Sequence, residues 1–247
     1  IECAPGGDCA VDCASGACRG KTVVCAPGHA CNVTCGDNRD VCQGTWVCGS
    51  AATHVAFSTA SYAASATRPR VQCGTGDCSV VCTGHTDHVC GWADIDGRAA
   101  SSLTAVFQDG GKGSFLDIGA DAKVACPTGG GACKVFCGSE DDTHPDTRSL
   151  CARLKVDAAG SGASAEVACS AYGSSTCSSA QVTNCGDNSA AVALSSGTRV
   201  NGTCIASAVA KTSRCATASA WDSYRARKRI ECAPGGDCAV DCASGAC

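Results

Sequence analysis

The chain has 247 residues, including 26 cysteines and 30 glycines, no methionine, and only three Trp, three Tyr and four Phe. So few large apolar side chains cannot fill an ordinary globular core of this length, and the cysteine content marks a disulfide scaffold formed in an oxidising compartment. A formal charge of −4 offers no broad basic surface for nucleic acid, and no apolar run approaches the roughly 18 residues of a membrane-spanning helix.

The first element follows a Pro-Gly-Gly turn after Cys3. It is Cys9-Ala-Val-Asp-Cys13, in which Cys, Val and Cys alternate with Ala10 and Asp12, the pattern of a strand with one buried face. Beyond Cys18 the same order returns as Cys25-Ala-Pro-Gly and then Cys31-Asn-Val-Thr-Cys35. Cys3 to Cys25, Cys9 to Cys31 and Cys13 to Cys35 are each 22 residues apart, so successive coils superimpose. After Cys42 comes Cys48, and Val55-Ala-Phe57-Ser-Thr59 falls where a third copy of the motif is due. Val71-Gln-Cys73 reads as the first strand of a later turn, and Cys78-Ser-Val-Val-Cys82 is again the five-residue motif.

Past Cys90, Leu103-Thr-Ala-Val-Phe107 supplies another rung without cysteine. Val124-Ala-Cys126 and a Pro-Thr-Gly-Gly-Gly turn lead to Cys133-Lys-Val-Phe-Cys137. Val81 and Phe136 break the outward polarity of these motifs, as a neighbouring protomer, a covering loop or ordinary surface scatter would allow. Gly138 to Ser149 and Ala158 to Ala165 read as insertions around Cys151, and Val167-Ala-Cys169 as a further first strand. Cys177, Cys185, Cys204 and Cys215 continue with weaker spacing. The last element, Ile230 to Cys247, repeats Ile1 to Cys18 residue for residue and adds Cys232, Cys238, Cys242 and Cys247, so the sequence begins again at Ile230.

These intervals predict an all-β fold, a right-handed parallel β-helix of about 22–25 residues per coil with three short strands per turn. Residues 1–229 form one module of about ten coils, advancing roughly 50 Å at about 4.8 Å per coil, and residues 230–247 begin the next identical module. All 26 cysteines are assigned to the disulfide framework. Cysteines of one column could bond between coils as a ladder, for which Cys9, Cys13, Cys31 and Cys35 are the best placed. Those on different faces could instead cross the interior, and spacing leaves the connectivity open. No CxxC pair suggests a metal, so no metal or other cofactor is expected.

The terminal duplication and the absence of a capping sequence point to modules that continue into one another. The expected function is a structural subunit of a secreted, extracellular or cell-surface filament, with identical modules as partner. A leader or earlier modules are expected upstream. The alternative is a non-filamentous adhesion or carbohydrate-binding solenoid, and a polysaccharide-active β-helix enzyme ranks third. Arg225-Ala-Arg227-Lys228-Arg229 precedes Ile230, so cleavage after Arg229 would generate the same start as Ile1; a solvated connector or a contact with Glu2, Asp8 and Asp12 of another module is the other reading. Asn32-Val-Thr and Asn201-Gly-Thr are candidate glycan acceptors.

Catalysis is not expected. His85-Thr-Asp87-His88 and the acidic Glu140, Asp141, Asp142 and Asp146 match no catalytic or Ca²⁺-loop pattern and read as solvated loops. The outward positions vary too much for the ranked threonines of an ice-binding face. On Cys3-Ala-Pro-Gly, Cys9-Ala-Val-Asp-Cys13, Cys25-Ala-Pro-Gly and Cys31-Asn-Val-Thr-Cys35, with weaker echoes to about Cys215, the chain resembles repeated, secreted parallel β-helix proteins of microbial eukaryotes. That resemblance implies an extracellular location and transfers no catalytic residue.

Overall fold

The computed structural model describes residues 1–14, 17–36, 41–58, 68–84, 88–109, 118–139, 150–157, 165–169, 177, 180–183 and 238–242. In chain order its strands are β1 (Cys9–Cys13), β2 (Thr22–Val24), β3 (Cys31–Cys35), β4 (Trp46–Cys48), β5 (Thr53–Phe57), β6 (Arg70–Gln72) and β7 (Asp77–Gly84). They continue as β8 (Asp94–Asp96), β9 (Ser102–Asp109), β10 (Lys123–Ala125), β11 (Cys133–Ser139), β12 (Lys155–Asp157), β13 (Ala165–Cys169), β14 (Gln181–Thr183) and β15 (Cys238–Cys242).

The odd-numbered strands form one sheet in the order β13-β11-β9-β7-β5-β3-β1-β15, and the even-numbered strands form another, β14-β12-β10-β8-β6-β4-β2. Every pairing is parallel, so the chain winds as a β-solenoid. The rung expected at Leu103 is in place, in register with Cys78, whereas the third copy of the motif is Thr53–Phe57, two residues earlier than Val55–Thr59: Thr53 lies opposite Cys31, Val55 opposite Val33 and Phe57 opposite Cys35, so Thr53 and Phe57 hold the cysteine positions. Val71 and Val124, read as first strands, belong to the short-stranded sheet, whereas Val167 belongs to the long-stranded one.

Two sides of each coil are strands. The expected third strand is replaced, among the described residues, by tight turns such as Ala17–Gly20, Val41–Gly44 and Ile118–Asp121. The chain reverses there through left-handed residues: Gly20, Gly44, Trp92, Asp121 and Arg153 occupy one column of corners with φ between 56° and 69°. A strand cannot continue through that backbone.

The long-stranded sheet stacks Cys9, Cys31, Thr53, Cys78, Leu103, Cys133 and Ala165 in one column, and the coils lengthen along it. Hydrogen bonds between adjacent coils measure this: the partners are 22 apart in sequence at Asp8 and Ala30, 25 at Asp77 and Ser102, 30 at Arg98 and Thr128, and 32 at Asp121 and Arg153. The coils up to Leu103 match the expected period. In the longer ones the strands keep register, and the added residues lie between strands. Of the stretches read as insertions, Gly138 and Ser139 are in β11 and Ala165 is in β13. The remainder, and all of residues 184 to 229, where further coils are expected, lie outside the described residues.

The core is a thin stack between the two sheets. Val23, Val47, Val71, Ile95, Val124 and Val156 line one wall, all at most 2 % exposed, and face Val11, Val33, Val55, Val80, Ala105 and Val135 on the other. Alternation of β1 and β3, buried at Cys, Val and Cys and exposed between, is the pattern the motif predicts. No helix among the described residues is long and apolar enough to cross a membrane.

Candidate assembly surfaces

The cysteines set the shape of each coil. The bonds are Cys3–Cys9, Cys13–Cys18, Cys25–Cys31, Cys35–Cys42, Cys73–Cys78, Cys82–Cys90, Cys126–Cys133 and Cys137–Cys151. Each joins residues 5 to 14 apart and closes a corner of its own coil. Cys9, Cys13, Cys31 and Cys35 therefore form staples around a coil, and not an axial ladder between coils. The physical reason is direction: on entering and leaving β1 or β3, the inward cysteine meets the chain turning the corner. Cys48 and Cys177 are also disulfide-bonded, and among the described residues no cysteine is free. The sulfurs of Cys13, Cys35 and Cys42 lie within 4.8 Å of one another. As members of two staples they offer no thiolate for a metal.

Where a staple is missing, a large apolar residue and a glycine take its place. Cys151 N–H donates to Ile118 O and Gly119 N–H to Val89 O, so Gly119 stands in the corner column of Cys90 and Cys151. Its staple partner would be Phe107, which lies in register with Cys82 and Cys137. A Cβ on Gly119 would come 2.5 Å from the Phe107 ring. At the other corner of the same coil, a Cβ on Gly97 would come 2.7 Å from Leu103 Cδ2. In the third rung Thr53 takes the cysteine position; it is buried, and Gly74 N–H donates to its Oγ1 at 3.2 Å.

Coils are tied to one another by polar contacts. Thr45 Oγ1 donates to Cys18 O at 2.6 Å, and Ala30 N–H donates to Asp8 Oδ1 at 2.8 Å. Ser101 and Ser102 hydroxyls donate to Asp77, holding its carboxyl below the ordinary carboxylate value, with the Ser102 bond the stronger cause. Arg153 forks onto Asp121 of the preceding coil, Nε to Oδ1 at 2.8 Å and the terminal nitrogen to Oδ2 at 2.6 Å, and this lowers the Asp121 pKa. Burial pushes Asp96 up, but hydrogen bonds from Arg98 outweigh it and leave the group lowered.

At the head of the solenoid the two sheet edges are covered differently. The Ile1 ammonium donates to Thr22 O at 2.8 Å, Val24 N–H donates to Ile1 O at 2.8 Å, and Cys3 N–H donates to Val24 O at 2.9 Å. Ile1 is buried and adds a residue to the core beyond Val23. The outer edge of β1 is taken by β15, with Cys9, Ala10, Val11, Asp12 and Cys13 opposite Cys238, Ala239, Val240, Asp241 and Cys242. Two identical strands thus pair in parallel and in register.

The outer face of the long-stranded sheet carries two columns. One runs Ala10, Asn32, His54, Ser79, Thr104 and Lys134; the candidate glycan acceptor Asn32 is exposed on it. The other runs Asp12, Thr34, Ala56, Val81, Val106 and Phe136. Val81 and Phe136 are therefore not scattered exceptions but members of one apolar stripe over four neighbouring strands. The sequence concealed it because Val106 lies in a rung without the cysteine motif. Phe136 is the one large hydrophobic residue exposed among the described residues, and its ring lies over Gly138.

His88 is half-buried at a corner with its ring 5.8 Å from that of Trp92. His85, Asp87, Glu140, Asp141, Asp142, Asp146, Asn201, Arg225, Arg227, Lys228, Arg229 and Ile230 lie outside the described residues, as do Cys185, Cys204, Cys215, Cys232 and Cys247. For Cys169, Cys238 and Cys242 the strand pairing alone is described. Comparison with protein-family models, with curated proteins and with solved structures finds no match. The likeness to solenoid proteins of microbial eukaryotes accordingly reduces to its architectural part, a disulfide-braced parallel β-solenoid.

Proposed function

We propose that the chain is a structural subunit of an extracellular filament, built by stacking identical solenoid modules along the coil axis. The observation that carries this reading is the in-register parallel pairing of Cys238–Cys242 with Cys9–Cys13. It means that the β1 edge is chemically able to accept a strand of its own sequence, which is the contact that continued stacking requires. Secretion is part of the proposal, because so many closed staples need oxidising surroundings to form and persist. The role is structural and not catalytic. Cryo-electron microscopy of native, non-reduced material tests it: rods with strand density continuous across module boundaries are expected, and discrete particles one chain long would overturn it.

A second reading, a non-filamentous adhesion or carbohydrate-binding solenoid, is favoured by the stripe through Ala56, Val81, Val106 and Phe136. An exposed apolar strip along neighbouring strands suits lateral contact with another surface. Asn32 as a glycan acceptor would place a hydrophilic group on the same face, on the strand next to the start of that stripe. Enzymatic removal of N-linked glycans, followed by mass measurement of the peptide around Asn32, tests occupancy.

A further inference from the structure

We propose that the second copy of the first strand, Cys238–Cys242, is an exchangeable donor: it completes the β1 edge of its own chain or, in the same register, that of a second copy. This deepens the filament reading and rests on it, since it names the element that joins one copy to the next.

Three observations carry it. The five residues opposite β1 are identical to β1, so the edge of any copy presents the same backbone groups and the same alternation to any donor. Unpaired strand edges carry rows of N–H and C=O groups that need partners, so an edge that has lost its own donor is a receptor for another. Chain length permits the exchange. Residues 184–237 connect β14 to β15, and that many residues reach up to roughly 180 Å when extended, whereas the seven strand steps from β13 to β15 amount to about 34 Å. The number of residues between the two strands therefore does not by itself confine the donor to its own chain.

One register position weakens the pairing. Asp12 and Asp241 share a register position, and like charges directly opposite weaken strand pairing. Asp241→Asn removes one of them and is expected to tighten the pairing.

The test uses the full oxidised chain, the full-length variants Val240→Pro and Ala239→Pro/Asp241→Pro, and an oxidised synthetic peptide of residues 230–247 as probe. Alternate backbone N–H groups of a strand point to opposite sides, so the two variants between them remove the donors on both. Unchanged circular dichroism and disulfide mapping establish that the solenoid itself is intact. Amide exchange at residues 9–13 is expected to quicken at least tenfold in the more affected variant, and the peptide is expected to bind that variant at least tenfold more tightly than the wild-type chain. Unchanged exchange in both variants, or no peptide binding to either, would overturn the proposal. Mass photometry across a concentration series reads the exchange between copies: the wild-type chain is expected to form multiples that the variants lack. Single chains at every concentration would reject donation between copies. Multiples, or rods under the electron microscope, that persist in the variants would reject strand donation while leaving the filament reading standing.

Discussion

At the scale of the residue, Gly119 shows how a disulfide staple and its apolar substitute relate. Its φ of +65° is shared by cysteines in the same column, Cys90 at 51° and Cys151 at 52°, so a cysteine fits the backbone there; what excludes a side chain is the Phe107 ring. Gly119→Ala is therefore expected to destabilise by about 1–3 kcal/mol through overpacking. Phe107→Cys with Gly119→Cys is expected to form a new staple and to recover much of that loss. Denaturant melts of the two variants, with intact mass under oxidising and reducing conditions, check both; a double variant that stays reduced contradicts the equivalence of the two corners. The carboxylates give a pH dependence. Asp77, Asp96 and Asp121 are all lowered in the folded protein, so each binds its proton less readily folded than unfolded. Their contribution is complete above the ordinary carboxylate value of about 3.9 and is lost as the pH falls through the lower folded values. The melting temperature is expected to hold from neutral pH to about 5 and to drop below about 4. Arg153→Gln should return Asp121 toward its ordinary value in a carboxylate NMR titration, costing under about 1 kcal/mol because the pair is partly exposed.

At the scale of the element, the coil is a unit with its own covalent bonds. Removing one staple, as in Cys73→Ser with Cys78→Ser, is expected to cost about 2–3 kcal/mol for so short a loop and to loosen amide protection in β6 and β7 before other strands. Hydrogen exchange checks whether the loss is local; uniform loss along the solenoid would contradict it. This independence explains what the sequence could disclose. The Cys-x-Val-x-Cys strands were legible because each motif has three buried positions in clear alternation, and the constant interval between the first two copies gave their stacking. The short-stranded sheet was harder to see, since three-residue strands such as Thr22–Val24 bury one central side chain and leave no period to detect. The corners were hidden for a different reason. Trp92 and Arg153 adopt a backbone that their residue types rarely do, so no local propensity announces the turn there. Gly97 with Leu103 and Gly119 with Phe107 fill the role of cysteine pairs without any shared chemistry in sequence. The direction of the staples depends on where the chain travels after each strand, which only the three-dimensional path reveals.

At the scale of the whole molecule, the head edge at β1 and the stripe ending at Phe136 lie on different aspects of the solenoid, so the proposed end-to-end and side-to-side contacts are separable by substitution. Val81→Lys with Phe136→Lys is expected to leave rod length unchanged and to abolish lateral bundling, read by light scattering and negative-stain imaging; shortened rods would show that the stripe takes part in stacking. The staples have a mechanical consequence. They bind the rod as hoops bind a barrel, fixing its girth while leaving its length to hydrogen bonds and side-chain contacts between turns. Pulled from its two ends, such a rod gives way one turn after another, and each turn keeps part of its slack locked away. In the first turn, from Cys9 to Cys31, the Cys13–Cys18 and Cys25–Cys31 bonds hold back the short loops they close. The released step is then roughly 40–50 Å, against roughly 75 Å for the same turn once reduced. Force-extension traces of single molecules should show the longer step appear on adding reductant, so that the give of each turn follows the redox state around it.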